Sequence, residues 1–233
     1  MGQKVHPKGF RVGITEDWES RWFAPSKRAF GEFLVEDEKI RKYIDNKLNR
    51  QPPFASISRV EIERTRDEVR VILHSARPGI VIGPRGAEID KLRGLIEGLI
   101  NRRVDVQVKE IRNPDVDAQL VAEAVAEQLR RRASFRRVMK QRCETAMQSG
   151  AKGVKIICSG RLGGAEMSRR ETQQMGSIPL ATLQAKVDYG YAIARTTYGA
   201  IGVRAWVHLG RYGETEAVEG QAPQRPPRRG RRG

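Results

Sequence analysis

Residues 83–86 read Gly-Pro-Arg-Gly, and the stretch from Gln128 to Arg142 holds seven basic residues with no acidic one among them. Two glycines enclosing a proline and a cation suggest a tight turn whose main chain other atoms can approach closely. Such a turn suits a phosphate, because backbone N–H groups and the positive end of a following helix face the anion while Arg85 adds a mobile charge. The basic stretch has a related meaning. Its charges repel one another, and neighbouring phosphates offset that repulsion. Six of them, Arg130, Arg131, Arg132, Arg136, Arg137 and Lys140, are candidates for contact with a nucleic acid. Arg136, Arg137 and Lys140 fall within about 100° on a helical wheel, opposite an apolar stripe that begins at Phe135, so they form a cationic ridge.

Two further groups join these. In SGRLGGAEMSRRE, Arg161, Arg169 and Arg170 accompany Gly160, Gly163 and Gly164, which reads as a glycine-bent strand with its basic residues on the exposed side. No GxxxxGK[ST] element occurs, so nucleotide hydrolysis is not expected. At the N-terminus Lys4, His6, Lys8 and Arg11 stand among Gly2, Pro7, Gly9 and Gly13. An arm of that composition has little regular propensity, and it is expected to order only by threading against RNA.

The elements that must position these groups follow from periodicity. Ile40, Tyr43, Ile44 and Leu48 have helical spacing within residues 36–48. Val60 and Ile62, then Val69, Val71 and Leu73, alternate as strands do, with Arg66-Asp67-Glu68 as the turn of a hairpin. A brief apolar segment ends at Gly83; a helix follows with Ile89, Leu92, Ile96 and Leu99 on one face, then a strand through Val104, Val106 and Val108. Past Arg112-Asn113-Pro114-Asp115, Asp115 and Asp117 are capping candidates for a helix carrying Leu120, Val121, Ala124, Val125 and Leu129. Ser134 is the candidate cap of the next, with Phe135, Val138, Met139, Cys143, Ala146 and Met147 as its stripe. Strands are expected at 154–158, 187–193 and 201–209. The predicted organisation is an arm (1–16), a first domain (17–112), a second α+β domain of two helices on a mainly antiparallel sheet (113–211), and a disordered basic tail (212–233). That tail ends RPPRRGRRG.

Whole-chain properties agree. The 44 Lys+Arg against 28 Asp+Glu give a net charge of +16 and a pI near 10.4, the balance of a chain whose partner is a polyanion. No apolar run reaches the roughly 18 residues of a membrane span, and MGQKVHPKGF lacks a signal-peptide core, so a soluble intracellular protein is expected. Cys143 and Cys158 are read as small buried hydrophobes in a reducing compartment. His6, His74 and His208 are scattered, and no metal, cofactor or small-molecule substrate is expected.

In the order helix, strand, strand, helix, GPRG, helix, strand, the first domain resembles a KH domain of the prokaryotic type (type II), whose loop, here Gly83, Pro84, Arg85 and Gly86, lies against single-stranded nucleic acid. From residue 1 to about residue 210 the chain also resembles the bacterial family of small-subunit ribosomal protein number three, through MGQKVHPKGFRVGI, ARPGIVIGPRG, FRRVMK, GAKGVKI, SGRLGGAE and TTYGAIGVRAWV. One stretch departs from that family's pattern: MSRRETQQMGSIPL stands where relatives carry a more aromatic and basic run. The resemblance implies a structural, non-enzymatic protein of the small-subunit head, cytoplasmic within the ribosome. It implies binding to ribosomal RNA and to neighbouring head proteins, ribosomal proteins number ten and fourteen. It also implies that the second domain lines the channel through which messenger RNA enters, where the basic helix helps unwind it. A free-standing KH regulator would leave the second domain without a role. An RNA-processing enzyme would need clustered carboxylates or a poised base, and Asp115 and Asp117 read better as helix caps.

Overall fold

A computed structural model describes residues 4–65 and 68–213. Arg66 and Asp67 of the expected hairpin turn, and the basic tail from Glu214 onward, lie outside the described residues. The chain forms two four-stranded sheets, each with helices on one face.

The first sheet has the order β1 (Ser20–Arg21), β2 (Ile57–Arg64), β3 (Glu68–Ser75), β4 (Arg103–Glu110). β2 and β3 are antiparallel, while β1 and β4 run parallel to their neighbours. The helices α2 (Lys27–Ile44), α3 (Pro78–Ile82) and α4 (Ala87–Ile100) supply the rest of this half. One core is shared by Ile40 and Ile44 of α2, Leu92, Ile96 and Ile100 of α4, and Ile62, Val71, Leu73 and Val106 of the sheet. Leu99, expected on the buried face of α4, is exposed, because Leu92, Ile96 and Ile100 repeat every fourth residue and turn the stripe past it.

α2 begins nine residues before the expected 36, at Lys27, and is capped by Ser26, whose hydroxyl accepts the Ala29 N–H. It gives way after Ile44 to a π-helical turn, Asp45–Asn49. Its first half shows no apolar stripe in sequence because Phe30, Leu34 and Val35 face outward. A buried ion pair anchors this half instead. Arg64 binds Asp37, and Asp37 also accepts from the Trp22 indole N–H at 2.8 Å and the Ser20 hydroxyl at 3.1 Å.

The second sheet is antiparallel throughout, in the order β6 (Arg169–Gly176), β5 (Gly153–Gly160), β8 (Gly199–Arg211), β7 (Ala185–Thr196). α5 (Ala118–Arg130) and α6 (Phe135–Gln148) cover one face and bury Val121, Val125, Leu129, Val138, Met139 and Cys143 against Val154, Ile156, Cys158, Val203 and Ala205. Burial pushes the Cys143 thiol up to about 11 and the Cys158 thiol up to about 12, so both stay protonated as packing groups.

Asp117 caps α5 by accepting the Gln119 and Leu120 N–H groups, both at 3.0 Å. Asp115 is not a cap; it sits on a 3-10 turn 3.7 Å from Arg142. Ser134 occupies the position before α6 but its side chain makes no capping bond. The glycine-bent strand expected after Ser159 is also corrected. β5 ends at Gly160, a 3-10 turn spans Leu162–Gly164, and Arg169 and Arg170 open a separate edge strand paired back onto Gly160 and Ser159.

Candidate nucleic-acid interface

The turn between α3 and α4 is built on positive φ angles: Gly83 at 70°, Arg85 at 56° and Gly86 at 81°. Gly83 is required for space as well as conformation, since a Cβ there would stand 2.6 Å from the Glu88 side chain. Pro84 and Arg85 at the tip are exposed. The loop therefore presents main chain and one cation to solvent at the start of a fourteen-residue helix, the geometry that admits a sugar-phosphate backbone.

The cations of the second half cluster at the turn between α5 and α6. Arg130, Arg131, Arg132, Arg136, Arg137 and Lys140 are all exposed, while the core-facing positions Val138 and Met139 between them are buried. The few partners they have are loose or local. Lys140 lies 3.9 Å from Glu144, Arg136 lies 3.8 Å from Glu171, the Arg130 guanidinium donates to the Ile193 carbonyl at 3.2 Å, and Arg131 pairs closely with Glu127, a turn before it on α5. Arg137 and Arg132 have no ion-pair partner among the described residues. Solvated pairs of this kind hold a side chain weakly, so the ridge keeps its charge available to an external anion. Arg161, Arg169 and Arg170 are exposed too. Arg169 reaches the ridge, because its guanidinium and that of Arg136 stand 5.5 and 5.6 Å from the Phe135 ring centre.

Residues 39–116 match the KH domain family, and residues 125–207 match the family described as ribosomal protein S3, C-terminal domain. Among curated proteins, the small ribosomal subunit protein uS3 of Rhodopirellula baltica is 52% identical over 233 residues, covering 98% of either chain. That of Desulforamulus reducens is 53% identical over 210 residues, covering 90% of this chain and 93% of its own. The chain belongs to the uS3 family. The resemblance read from the sequence motifs is thereby shown. Members of the uS3 family are structural ribosomal proteins, which takes this chain out of the enzymes. No helix among the described residues is long and apolar enough to cross a membrane.

The N-terminal arm of this uS3 chain departs from expectation. Pro7–Arg11 form a short helix, α1, which packs against β7. Arg11 is fully buried and donates to five carbonyls, those of Pro7, Pro179, Leu180, Thr182 and Ala185, at 2.8–3.4 Å. Lys8 pairs with Asp188 at 3.2 Å; burial disfavours its ammonium, but the Asp188 and Glu19 carboxylates together more than offset this and leave Lys8 above the usual lysine range. His6 accepts the Gly9 N–H and sits edge-on to Tyr189 at 4.5 Å, with burial and Lys8 lowering its pKa. Arg11 is thus removed from the residues expected to touch RNA, the half-buried Lys8 is paired with Asp188, and His6, though exposed, is held by Gly9 and Tyr189. Lys4 stays exposed. Arg11, on the carbonyls of residues 179–185, and Lys8, on Asp188 of β7, dock this part of the arm on the protein itself.

Sequence reasoning also missed a groove of about 830 Å³ between the two halves, lined by Asn49, Arg77, Gln119, Glu123, Arg142 and Tyr191 among others. Burial pushes the Glu123 carboxyl up to about 7; the Gln119 amide, donating at 2.9 Å, resists the shift, while Asp45 and Asp117 add to it and Arg130 opposes it. Its folded pKa lies above the unfolded 4.5, so the fold favours the protonated acid. That contribution is complete below about pH 4.5 and is lost as pH rises through 7. Glu123→Gln, which cannot ionise, is therefore expected to stabilise the protein by about 1–3 kcal/mol at pH 8 and to be nearly neutral at pH 4.5. Urea unfolding at the two pH values checks this, and an equal effect at both would mean that Glu123 titrates as if exposed.

Proposed function

We propose that this chain is a structural component of the small-subunit head that binds ribosomal RNA and neighbouring head proteins and lines the channel through which messenger RNA enters. In this reading the protein works in the cytoplasm as part of the ribosome. The observation that carries the messenger-RNA part is the exposed ridge formed by Arg130, Arg131 and Arg132 at the end of α5 and the turn after it and by Arg136, Arg137 and Lys140 on α6, the last three with no carboxylate among the described residues nearer than 3.8 Å. Charges so placed grip a phosphate chain without reading bases, which suits a surface every message must pass.

Ribosomal RNA contact falls to the Gly83–Gly86 loop, to Lys4, and to Arg161 and Arg170. The exposed apolar side chains Trp18, Phe23, Phe30 and Leu34 of the first half supply the kind of surface that a protein neighbour covers, here ribosomal proteins number ten and fourteen. Co-sedimentation tests the assignment as a whole. A structural subunit protein stays with small subunits through a high-salt wash, whereas a dissociable regulator leaves in the supernatant.

The loop has its own test. Asp tolerates the left-handed backbone that Arg85 adopts, so Pro84→Asp with Arg85→Asp is expected to leave the fold intact. Two carboxylates at the tip repel an approaching phosphate, and affinity for single-stranded RNA at low salt is expected to fall about ten-fold or more. A fluorescence titration giving unchanged affinity removes the loop from the binding surface.

A further inference from the structure

Glu171 lies where no carboxylate is expected on a surface built to hold phosphate. It is the third residue of β6, the edge strand beside α6, and a single oxygen, Oε1, stands 3.8 Å from Arg136 Nη2 and 3.7 Å from Arg169 Nε. Both distances exceed hydrogen-bond range. The carboxylate is centred between two guanidiniums that come from different elements and bonds closely to neither. The two cations are brought to the same place by Phe135, whose ring lies 5.6 Å from the Arg136 guanidinium carbon and 5.5 Å from that of Arg169, within cation–π range. All three charged side chains reach solvent, at 75% exposure for Arg136, 48% for Arg169 and 35% for Glu171.

We propose that Arg136 and Arg169 form a phosphate clamp at the end of the ridge, and that Glu171 is its internal counter-anion, displaced when a backbone phosphate of single-stranded RNA enters. The proposal rests on the reading of the ridge as a messenger-RNA surface and adds to it a second element, β6, and a built-in competitor. A phosphodiester brings two free oxygens that can each accept from one guanidinium, and, unlike the Glu171 carboxylate, it is not tethered to β6 at 3.7 and 3.8 Å from the two cations. Glu171 then lowers the grip at this point, which keeps a strand that must slide from being held fast, and it keeps two like charges from repelling each other while the clamp is empty.

The test uses the purified full-length protein and a fluorescently labelled oligouridylate at low salt, read by anisotropy. Glu171→Gln is expected to tighten binding about two- to five-fold, the effect of removing one partly solvated ion-pair partner. Glu32→Gln serves as the comparison, since it removes an exposed carboxylate from Arg28 on the distant helix α2 and reports only the change in net charge. The gain from Glu171→Gln is expected to vanish in a background carrying Arg136→Ala and Arg169→Ala. A gain no larger than that of Glu32→Gln, or one that survives in that background, overturns the proposal. Arg137→Ala with Lys140→Ala separates it from the reading beneath: if that pair weakens binding while Glu171→Gln is silent, the clamp alone is wrong. If that pair leaves binding unchanged, the ridge reading fails and the clamp with it.

Discussion

Arg11→Ala is expected to detach the N-terminal arm from β7 and to destabilise the second half of the protein by about 2–4 kcal/mol. The reasoning starts from the five carbonyls around the Arg11 guanidinium. Those of Pro179, Leu180, Thr182 and Ala185 belong to the segment leading into β7, and each needs a donor once water is excluded. A guanidinium is the one side chain with donors enough to serve them together. Truncation removes a donor from each of them, although the Thr182 carbonyl keeps the Ala185 N–H at 3.2 Å, and each bond to a charged group is worth roughly 1.5–3 kcal/mol. The loss is bounded because the arm can lift away and let water in. Lys8–Asp188 and the Tyr212 hydroxyl donating to Glu16 at 2.7 Å hold less well without it. For a protein of this size about 3 kcal/mol corresponds to a fall in Tm of roughly 6–12 °C. Arg11→Lys is expected to recover little, since one ammonium cannot span the set. Limited trypsin digestion gives the second reading: cleavage after Lys8 is slow in the native chain and fast in the variant. Unchanged cleavage and unchanged Tm would mean that the arm is docked by something other than Arg11.

That arm also marks where the sequence stops being legible. Its lysine, histidine and arginine look the same whether they await RNA or meet acceptors in Pro179–Ala185, because no local pattern encodes a partner 170 residues away. β7 shows a second limit. Alternation through Val187, Tyr189, Tyr191 and Ile193 predicts one buried side, but beyond the buried Val187 that side turns outward, with Tyr191 and Ile193 46% and 42% exposed, and the side facing α5 is Gly190, Ala192 and Ala194. α5 approaches so closely that a Cβ on Gly190 would overlap the Ala118 carbonyl, and smallness, which carries no hydrophobic signal, is what the contact selects. The polar edge strand β6 escaped for a related reason. RRETQQMG has almost no apolar alternation, and the strand exists through its backbone pairing with β5. What was legible was the order of elements where one face is plainly apolar. The change from period two in β2 and β3 to period 3.6 in α4 frames the Gly83–Gly86 loop, and the capping Asp117 precedes a strongly apolar α5. The ridge was legible as charge. Its boundary was not, because Arg169 and Glu171 join it only through the packing of β6 beside α6.

Replacing Arg136, Arg137 and Lys140 together with alanine is the sharpest test of what the ridge does. The fold should tolerate it. The three side chains are exposed, their carboxylate partners stand at 3.8 and 3.9 Å, and alanine is a better helix former than any of them. Up to three phosphate contacts are lost, so affinity for single-stranded RNA falls and the salt dependence of binding flattens by up to about two units, each neutralised phosphate contributing roughly 0.7. In ribosomes carrying the variant, the two kinds of message should then separate. A stable hairpin placed downstream must be opened as the strand is drawn in, and opening it requires that the incoming strand be held while its complement is peeled away. An unstructured message needs no such hold. Translation across the hairpin is therefore expected to slow or stall while the unstructured message is read at nearly the native rate, measured by elongation on matched reporters. Equal loss on both would trace to assembly rather than to the channel. Equal retention on both would leave the ridge a solvated surface, because a strand that slides past without being gripped gives its hairpin no reason to open more slowly.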